Sequence, residues 1–487
     1  MTGGRVIARN VGVQSSAEAI SKVAALVLYA VMARSLGEEG FGEFSFAFSL
    51  GALLVVLAAP GVGDVVTRTI AREPRALGRL LWNALALRGA FGVAALAIVT
   101  AIAFAGDHSA TTRATVVLLT LALLIEGMTK LVHAVFLGYD DSRPIAASLL
   151  IQRLFTATAG ATVAAAGLGL VAISCVFLAG SVLGLGYALW RLRGSVGVPP
   201  RTFSASEARR LYSIAWPIGL SGIFTTILFR VDTLILAALD SKATVGLYGA
   251  TYRLVDATLF LSFSVGSAML PVLSRLGRDT RPSAADAFSS GAKVLVAILF
   301  PLGLGAALFA EPVLRLAYGE DFVAAATALR LLGGTIALYG ISYLASITLV
   351  GQDRQRWIPW VSGVGALLNI SLNLVLIPSM SLDGAALATT ITEAARASAL
   401  VYLVSRAAGR IDVARMLLGA VTGCVAMLGV RLATGEHLLA VVPAALAYVA
   451  VFVAYERLRH PDDVRLIVAV LTRRPPLSAA DAAPTEP

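Results

Sequence analysis

Lys22, Arg153, Arg230, Arg253 and Lys293 share a costly setting: each lies inside a long apolar stretch, as do the carboxylates Glu18, Asp232 and Asp256. A charge at the centre of such a stretch costs about 2.5–3.5 kcal/mol on membrane-insertion scales, so each needs a reason to be there. Convergent Arg and Lys side chains can hold a diphosphate, because Arg presents a planar fork and Lys a compact point charge. Taking roughly two negative charges out of water is prohibitive without such counter-charges. Carboxylates in the same setting can couple movement to an ion gradient, provided their protonation or cation occupancy differs between two conformations. Glu18, Asp232 and Asp256 are placed to do that.

Some intramembrane charges can neutralise each other locally. Glu18 and Lys22, and Glu126 and Lys130, are four residues apart, while Arg253 and Asp256, and Glu393 and Arg396, are three apart, so each pair shares a helical face. Arg88, Arg153, Arg230, Lys293, Arg330 and Arg431 have no such neighbour, and Asp232 is two residues from Arg230, on a different face. These must find water, another helix or a ligand. Arg88 and Arg330 are close enough to a span end to snorkel; Arg153, Arg230 and Lys293 sit deeper, with an interlobe or interhelix structural charge as the alternative for Arg153 and Lys293. Lys22, Arg230 and Arg253 are the first choice for an anion site, with Arg153 and Lys293 behind them.

The elements that carry these residues are membrane spans. Of 487 residues, 58% are hydrophobic and 14% charged, against roughly 25% charged in a soluble domain. Apolar stretches of about 20 residues, the length that crosses a hydrocarbon core of about 30 Å, recur along the chain. The pattern predicts an all-α integral membrane protein with about 14 spans, near 15–36, 41–62, 80–105, 114–137, 146–167, 169–190, 211–238, 244–273, 287–309, 325–350, 357–377, 383–404, 414–433 and 438–456. The first stretch is long and contains Glu18 and Lys22, so it reads as a retained helix rather than a cleaved signal. With these spans, 25 Lys and Arg fall on the side of the termini and only Arg34, Arg113, Lys242 and Arg315 on the other, which puts both termini in the cytoplasm. All five Trp fall near the ends of spans on the cytoplasmic side. The net charge of +10 is therefore a matter of topology and gives no reason to expect nucleic acid.

An internal repeat has an offset a little over 200 residues. Gly42-Glu43-Phe44 after the first span matches Gly246-Leu247-Tyr248 after the seventh, and the turn Gly138-Tyr139-Asp140 matches Gly351-Gln352-Asp353. Six spans separate equivalent helices, so the halves are parallel repeats about an axis along the membrane normal, flanking a central cavity. The expected organisation is an N-terminal lobe over 1–190, a cytoplasmic linker over 191–210 with Pro199-Pro200, and a C-terminal lobe over 211–405. Two further spans follow over 406–460, then a tail over 461–487 without periodicity, expected to be disordered.

Several of these residues carry a family resemblance. Ala33-Arg34-Ser35-Leu36-Gly37 followed by Phe41-Gly42-Glu43-Phe44 resembles the first-helix exit of the polysaccharide flippases, the O-antigen and exopolysaccharide branch of the multidrug/oligosaccharidyl-lipid/polysaccharide exporter superfamily. Arg230-Val231-Asp232-Thr233, Val245-Gly246-Leu247-Tyr248 and Pro271-Val272-Leu273-Ser274-Arg275 resemble its seventh and eighth spans, and Gly351-Gln352, Asn369, Asn373, Ile377-Pro378 and Gly384-Ala385-Ala386 its tenth to twelfth. The resemblance covers about Asn10 to Arg406. It implies two six-helix lobes, alternating access, and outward passage of undecaprenyl-diphosphate-linked oligosaccharide across a bacterial cytoplasmic membrane, with a cationic cavity for the diphosphate. Spans one, seven and eight, which hold Lys22, Arg230 and Arg253, line that cavity in the family. The expected partners are then the lipid-linked oligosaccharide, the bilayer and polysaccharide assembly proteins, for a monomeric, multi-pass transporter.

Other chemistries lack their residues. There is no G-x-x-x-x-G-K-[ST] loop, Gly61-Val62-Gly63 lacks the spacing of a dinucleotide site, and the four His have no metal-ligand spacing. Cys175 and Cys424, the only cysteines, lie in apolar segments, which argues against a disulfide framework. No cofactor, metal or catalytic residue is expected. A drug or cation antiporter of the same superfamily is the first rival, and its cationic cargo suits a cation-lined cavity poorly. A membrane glycan polymerase or ligase is the second; the longest outside connection, about 310–324, is too short to fold as a catalytic domain.

Overall fold

A computed structural model describes residues 2–58, 60–197, 202–276 and 283–460, and the expected tail lies outside the described residues. Among them the chain is α-helical: α1 (Thr2–Val56), α2 (Val62–Arg72), α3 (Leu77–Ala105), α4 (Ala110–Gly138), α5 (Arg143–Ala165), α6 (Gly169–Val196), α7 (Ala205–Leu239), α8 (Lys242–Arg275), α9 (Ala284–Leu308), α10 (Ala310–Tyr318), α11 (Ala326–Gly351), α12 (Ile358–Ala408), α13 (Val413–Thr434) and α14 (Val441–Arg459). Among the described residues, eleven helical segments are long and apolar enough to cross a bilayer.

Two of the eleven are hairpins. Gly37 interrupts α1 at φ 68 and ψ −177, a conformation open essentially only to glycine. Beyond it the chain folds back, bringing the rings of Tyr29 and Phe44 to 6.0 Å although 15 residues separate them. Ser381 breaks α12 at φ 53, and the two limbs meet where Gly365 faces Arg396: a Cβ on Gly365 would lie 2.8 Å from the Arg396 Cδ. Splitting α1 and α12 gives thirteen spans. The fourteenth is α5, 23 residues or about 35 Å long, whose Gln152, Arg153 and Thr156 make it less apolar because that face turns inward.

The repeat is visible at contact level. Gly42 and Gly246, equivalent by sequence, face each other: a Cβ on Gly42 would lie 3.1 Å from the Gly246 nitrogen and overlap the Lys242 carbonyl, while one on Gly246 would lie 3.0 Å from the Gly42 nitrogen and overlap the Glu38 carbonyl. Reciprocal contact between equivalent residues is what a pseudo-two-fold axis between two halves requires. The second repeated turn agrees, since Asp140 and Asp353 both adopt positive φ, 57 and 55.

A core drawn from both halves seals the molecule at this end, with Phe41, Phe44, Leu247, Tyr318, Phe322 and Leu329 buried together. The expected outside loop near 310–324 is ordered here. It forms α10 and a 3-10 turn over Glu320–Ala325, because Tyr318 and Phe322 have Phe41 to bury against at 6.4 and 6.2 Å. At the Arg-rich end, residues 191–196 and 205–210 of the expected linker are helical, extending α6 and α7 with Arg191, Arg193, Arg209 and Arg210 on them. Helices α13 and α14 share a separate small core with α9, built on Phe309, Met427, Tyr448 and Phe452.

Overpacking a tight contact costs about 1–3 kcal/mol. Gly42→Ala or Gly246→Ala should therefore lower the melting temperature of the detergent-purified protein by several degrees, read by fluorescence-detected size exclusion, whereas Gly12→Ala, where nothing lies within 4 Å, should not. Indistinguishable melting of all three variants would show that the two halves do not meet at this glycine pair.

Candidate functional site

Between the halves lies a chamber in two joined compartments. The inner one, about 350 Å³, is lined by Lys22, Arg153, Arg230 and Arg253 and by only two carboxylates, Glu18 and Asp256. The wider one, about 770 Å³, shares Glu18, Phe48, Leu149, Arg153 and Arg230 with it, and extends past Glu126 to Gln14, Thr67, His133 and Leu137 at the Arg-rich end. Thus the closed end sits beyond the inner compartment, and the chamber widens away from it.

Asp256 organises the inner compartment. Its Oδ2 lies 3.4 Å from Arg230 Nη2 and 3.5 Å from Arg253 Nη1, so one carboxylate serves two guanidiniums. Lys22 does not pair with Glu18 four residues away. Its Nζ reaches across to donate to the Asp256 backbone carbonyl at 3.4 Å, while Glu18 accepts from Gln14 Nε2 at 3.4 Å. Arg253 is 7% exposed and is held by aromatic faces, its guanidinium 4.6 Å from the ring centroids of both Tyr29 and Phe48. Arg230 lies 5.2 Å from the Phe48 ring. Cation–π contact of this kind holds a guanidinium in place without cancelling its charge, so positive charge remains in surplus.

On the other wall Glu126 is the shared anion, accepting from Arg153 Nη2 at 3.0 Å, Lys130 Nζ at 3.1 Å and Gln152 Nε2 at 3.3 Å. The structure therefore brings together five of the eight candidates on the inner wall, Glu18, Lys22, Arg230, Arg253 and Asp256, and adds Arg153 opposite.

Two candidates lie elsewhere. Lys293 lines neither compartment: its Nζ is 2.5 Å from Glu456 Oε2, with side chains 4% and 1% exposed, joining α9 to α14. Gly419 on α13 makes room for that carboxylate. So placed, Lys293 bridges two helices through a partner 163 residues away in the sequence, the alternative to a place in the anion site. Asp232 is fully buried away from the chamber, accepting from the Tyr248 hydroxyl, from the Thr233 amide at 2.7 Å and from the Thr389 hydroxyl at 3.3 Å. The alternation of faces separating it from Arg230 is as expected.

The other solitary cations resolve differently. Arg330 and Arg431 meet at Glu436, at 3.2 and 2.6 Å, with Glu311 also on Arg330 at 2.9 Å, which ties α13 to α10 and α11. Glu393 and Arg396 pair at 2.5 Å inside the second half. Arg88 belongs to the wider compartment, where sequence position suggested snorkelling. Tyr29, Phe44 and Phe48 were also missed; the i, i+4 spacing of Phe44 and Phe48 on a span facing Arg253 is the signal that could have marked them.

Removing one member of a buried ion pair costs about 3–5 kcal/mol. Glu456→Leu and Lys293→Met should each destabilise the protein by about that much, and the double variant by less than either; additive losses on thermal melting would mean that the pair is not a coupled lock.

The comparisons with known proteins can be set against this geometry. A family model described as polysaccharide biosynthesis protein matches residues 7–277, more than half of the chain, and a second, MatE, matches residues 217–375. The probable low-salt glycan biosynthesis flippase Agl15 of Haloferax volcanii is 24% identical over 372 residues, 74% of this chain and 75% of that protein. Among solved structures, a lipid II flippase MurJ in an inward closed conformation superposes with a TM-score of 0.72 at 14% identity, covering 94% of this chain and 98% of that one. An inward-facing multidrug resistance MATE family transporter of the MOP superfamily gives 0.65 at 15% identity, covering 80% and 98%. These structures share the fold, and the family model, spanning the first half and the start of the second, carries the assignment: the chain belongs to the polysaccharide biosynthesis protein family.

Proposed function

We propose that the protein is a flippase that moves an oligosaccharide linked to a lipid diphosphate from the leaflet at its Arg-rich end to the opposite leaflet. The observation that carries this reading is the inner compartment, where four cations face two carboxylates within a bilayer-spanning fold. A diphosphate substitutes for the missing counter-charges, and Lys22, Arg230, Arg253 and Arg153 are the groups that hold it. The wider compartment, about 770 Å³ with polar groups on its walls, is the place for the sugars. A relative that is itself a probable glycan flippase supports the same substrate class. A cation-exporting drug antiporter is the poorer fit, because its cargo would meet the same surplus of positive charge.

In this reading both termini are cytoplasmic and the membrane is the bacterial cytoplasmic membrane. The lobes over 1–190 and 211–405 rock about the glycine contact, with residues 191–210 linking them and spans 13 and 14 attached to the second lobe. The closed end at Gly42 and Gly246 corresponds to an inward-facing state. An inside-negative potential favours export of the anion by about 2.3 kcal/mol per charge per 100 mV. Any ion coupling falls to Asp232 first among the three carboxylates, since Asp256 is engaged by two guanidiniums and Glu18 lines the path itself.

Truncating one member of a desolvated charge pair costs about 2–5 kcal/mol of binding, thirtyfold or more. Arg230→Ala and Arg253→Ala should each abolish flipping of a fluorescent undecaprenyl-diphosphate oligosaccharide in proteoliposomes, with unchanged membrane insertion; full activity in either removes that residue from the site. Asp232→Asn should leave flipping insensitive to an imposed proton or sodium gradient, while retained gradient dependence excludes Asp232 as the coupling group.

A further inference from the structure

Arg88 is a chamber cation that neither the diphosphate nor a carboxylate explains, whereas Lys130, which lines the same compartment, pairs with Glu126. It projects from α3 into the wider compartment and does not line the inner one. Gly127 on α4 gives it space: a Cβ there would lie 2.7 Å from the Arg88 Nε and Nη2. Among the described residues no carboxylate pairs with it, and its Nε is buried without a hydrogen-bond partner. Of the carboxylates that line the same compartment, Glu126 is shared by Lys130, Arg153 and Gln152, Glu18 accepts from Gln14, and Asp64 makes no ion pair with Arg88.

We propose that the wider compartment selects oligosaccharides carrying an acidic substituent, and that Arg88 is the residue that reads it. A guanidinium in this position offers a planar fork with no internal claimant, and a carboxylate on a sugar ring fits that fork in two parallel hydrogen bonds. A neutral sugar leaves the guanidinium with hydroxyls alone, a weaker match for a cation whose Nε has no partner. Because α3 lies outside the inner compartment, this selection is separate from recognition of the diphosphate. The inference rests on the flippase reading and narrows its substrate.

The test uses two synthetic undecaprenyl-diphosphate disaccharides that differ only in a terminal glucuronic acid or glucose, with flipping rates measured in proteoliposomes. The unaltered protein is expected to move the acidic probe about tenfold faster, the discrimination expected of one charge-assisted contact. Arg88→Gln should abolish that preference while keeping the rate for the glucose probe, and Arg88→Lys should keep part of it. Equal movement of both probes by the unaltered protein overturns this inference and leaves the flippase reading standing; movement of neither overturns both. Loss of both probes in Arg88→Gln makes Arg88 a structural group and also overturns it.

Discussion

One carboxylate shared among too many cations is the constraint on which the rest of the molecule depends. Asp256 lies within 3.4 and 3.5 Å of two guanidiniums, and Lys22 reaches only its backbone carbonyl. Such an arrangement is unfavourable in a low-dielectric interior unless something anionic completes it. Aromatic faces hold Arg253 and Arg230 in the meantime, lowering the cost of the arrangement without neutralising it. In the proposed function, this excess of cations is what receives an anionic headgroup and disfavours a cation.

Keeping that charge useful requires that it face one side at a time. The glycine contact between Gly42 and Gly246 lets two helix backbones touch where any side chain would force them apart, and the aromatic core of Phe41, Tyr318 and Phe322 seals the surrounding space. Lys242 and Glu43, paired at 2.7 Å across the two halves, add a polar clasp at the same end.

Much of this was legible in the sequence because membrane solvation leaves few alternatives. Span length, the lopsided distribution of Arg and the repeated Gly42 and Gly246 motifs gave the helix count and the pseudo-symmetry, down to the matching positive φ of Asp140 and Asp353. Local spacing also found the Arg253 and Asp256 pair. What it could not find were partners distant in the chain. Lys293 and Glu456 stand 163 residues apart, and Lys22 prefers α8 to its helical neighbour Glu18. The hairpin breaks were half legible: Gly37 is a residue that permits its φ of 68, whereas Ser381 at φ 53 has no such signature and is held by a hydrogen bond to Asp240. Arg88 was expected to snorkel to a span end, whereas it lines the wider compartment, in the space that Gly127 of the next helix leaves.

The surplus of positive charge in the inner compartment is tested most directly by the affinity of the purified protein for short polyprenyl lipids that differ only in headgroup. The account predicts that a diphosphate binds at least tenfold tighter than the matching monophosphate, that the alcohol binds weakest, and that rising salt narrows the gap. Equal affinity for all three headgroups would contradict it, because binding would then come from the lipid tail and the cationic chamber would have no anion to complete it.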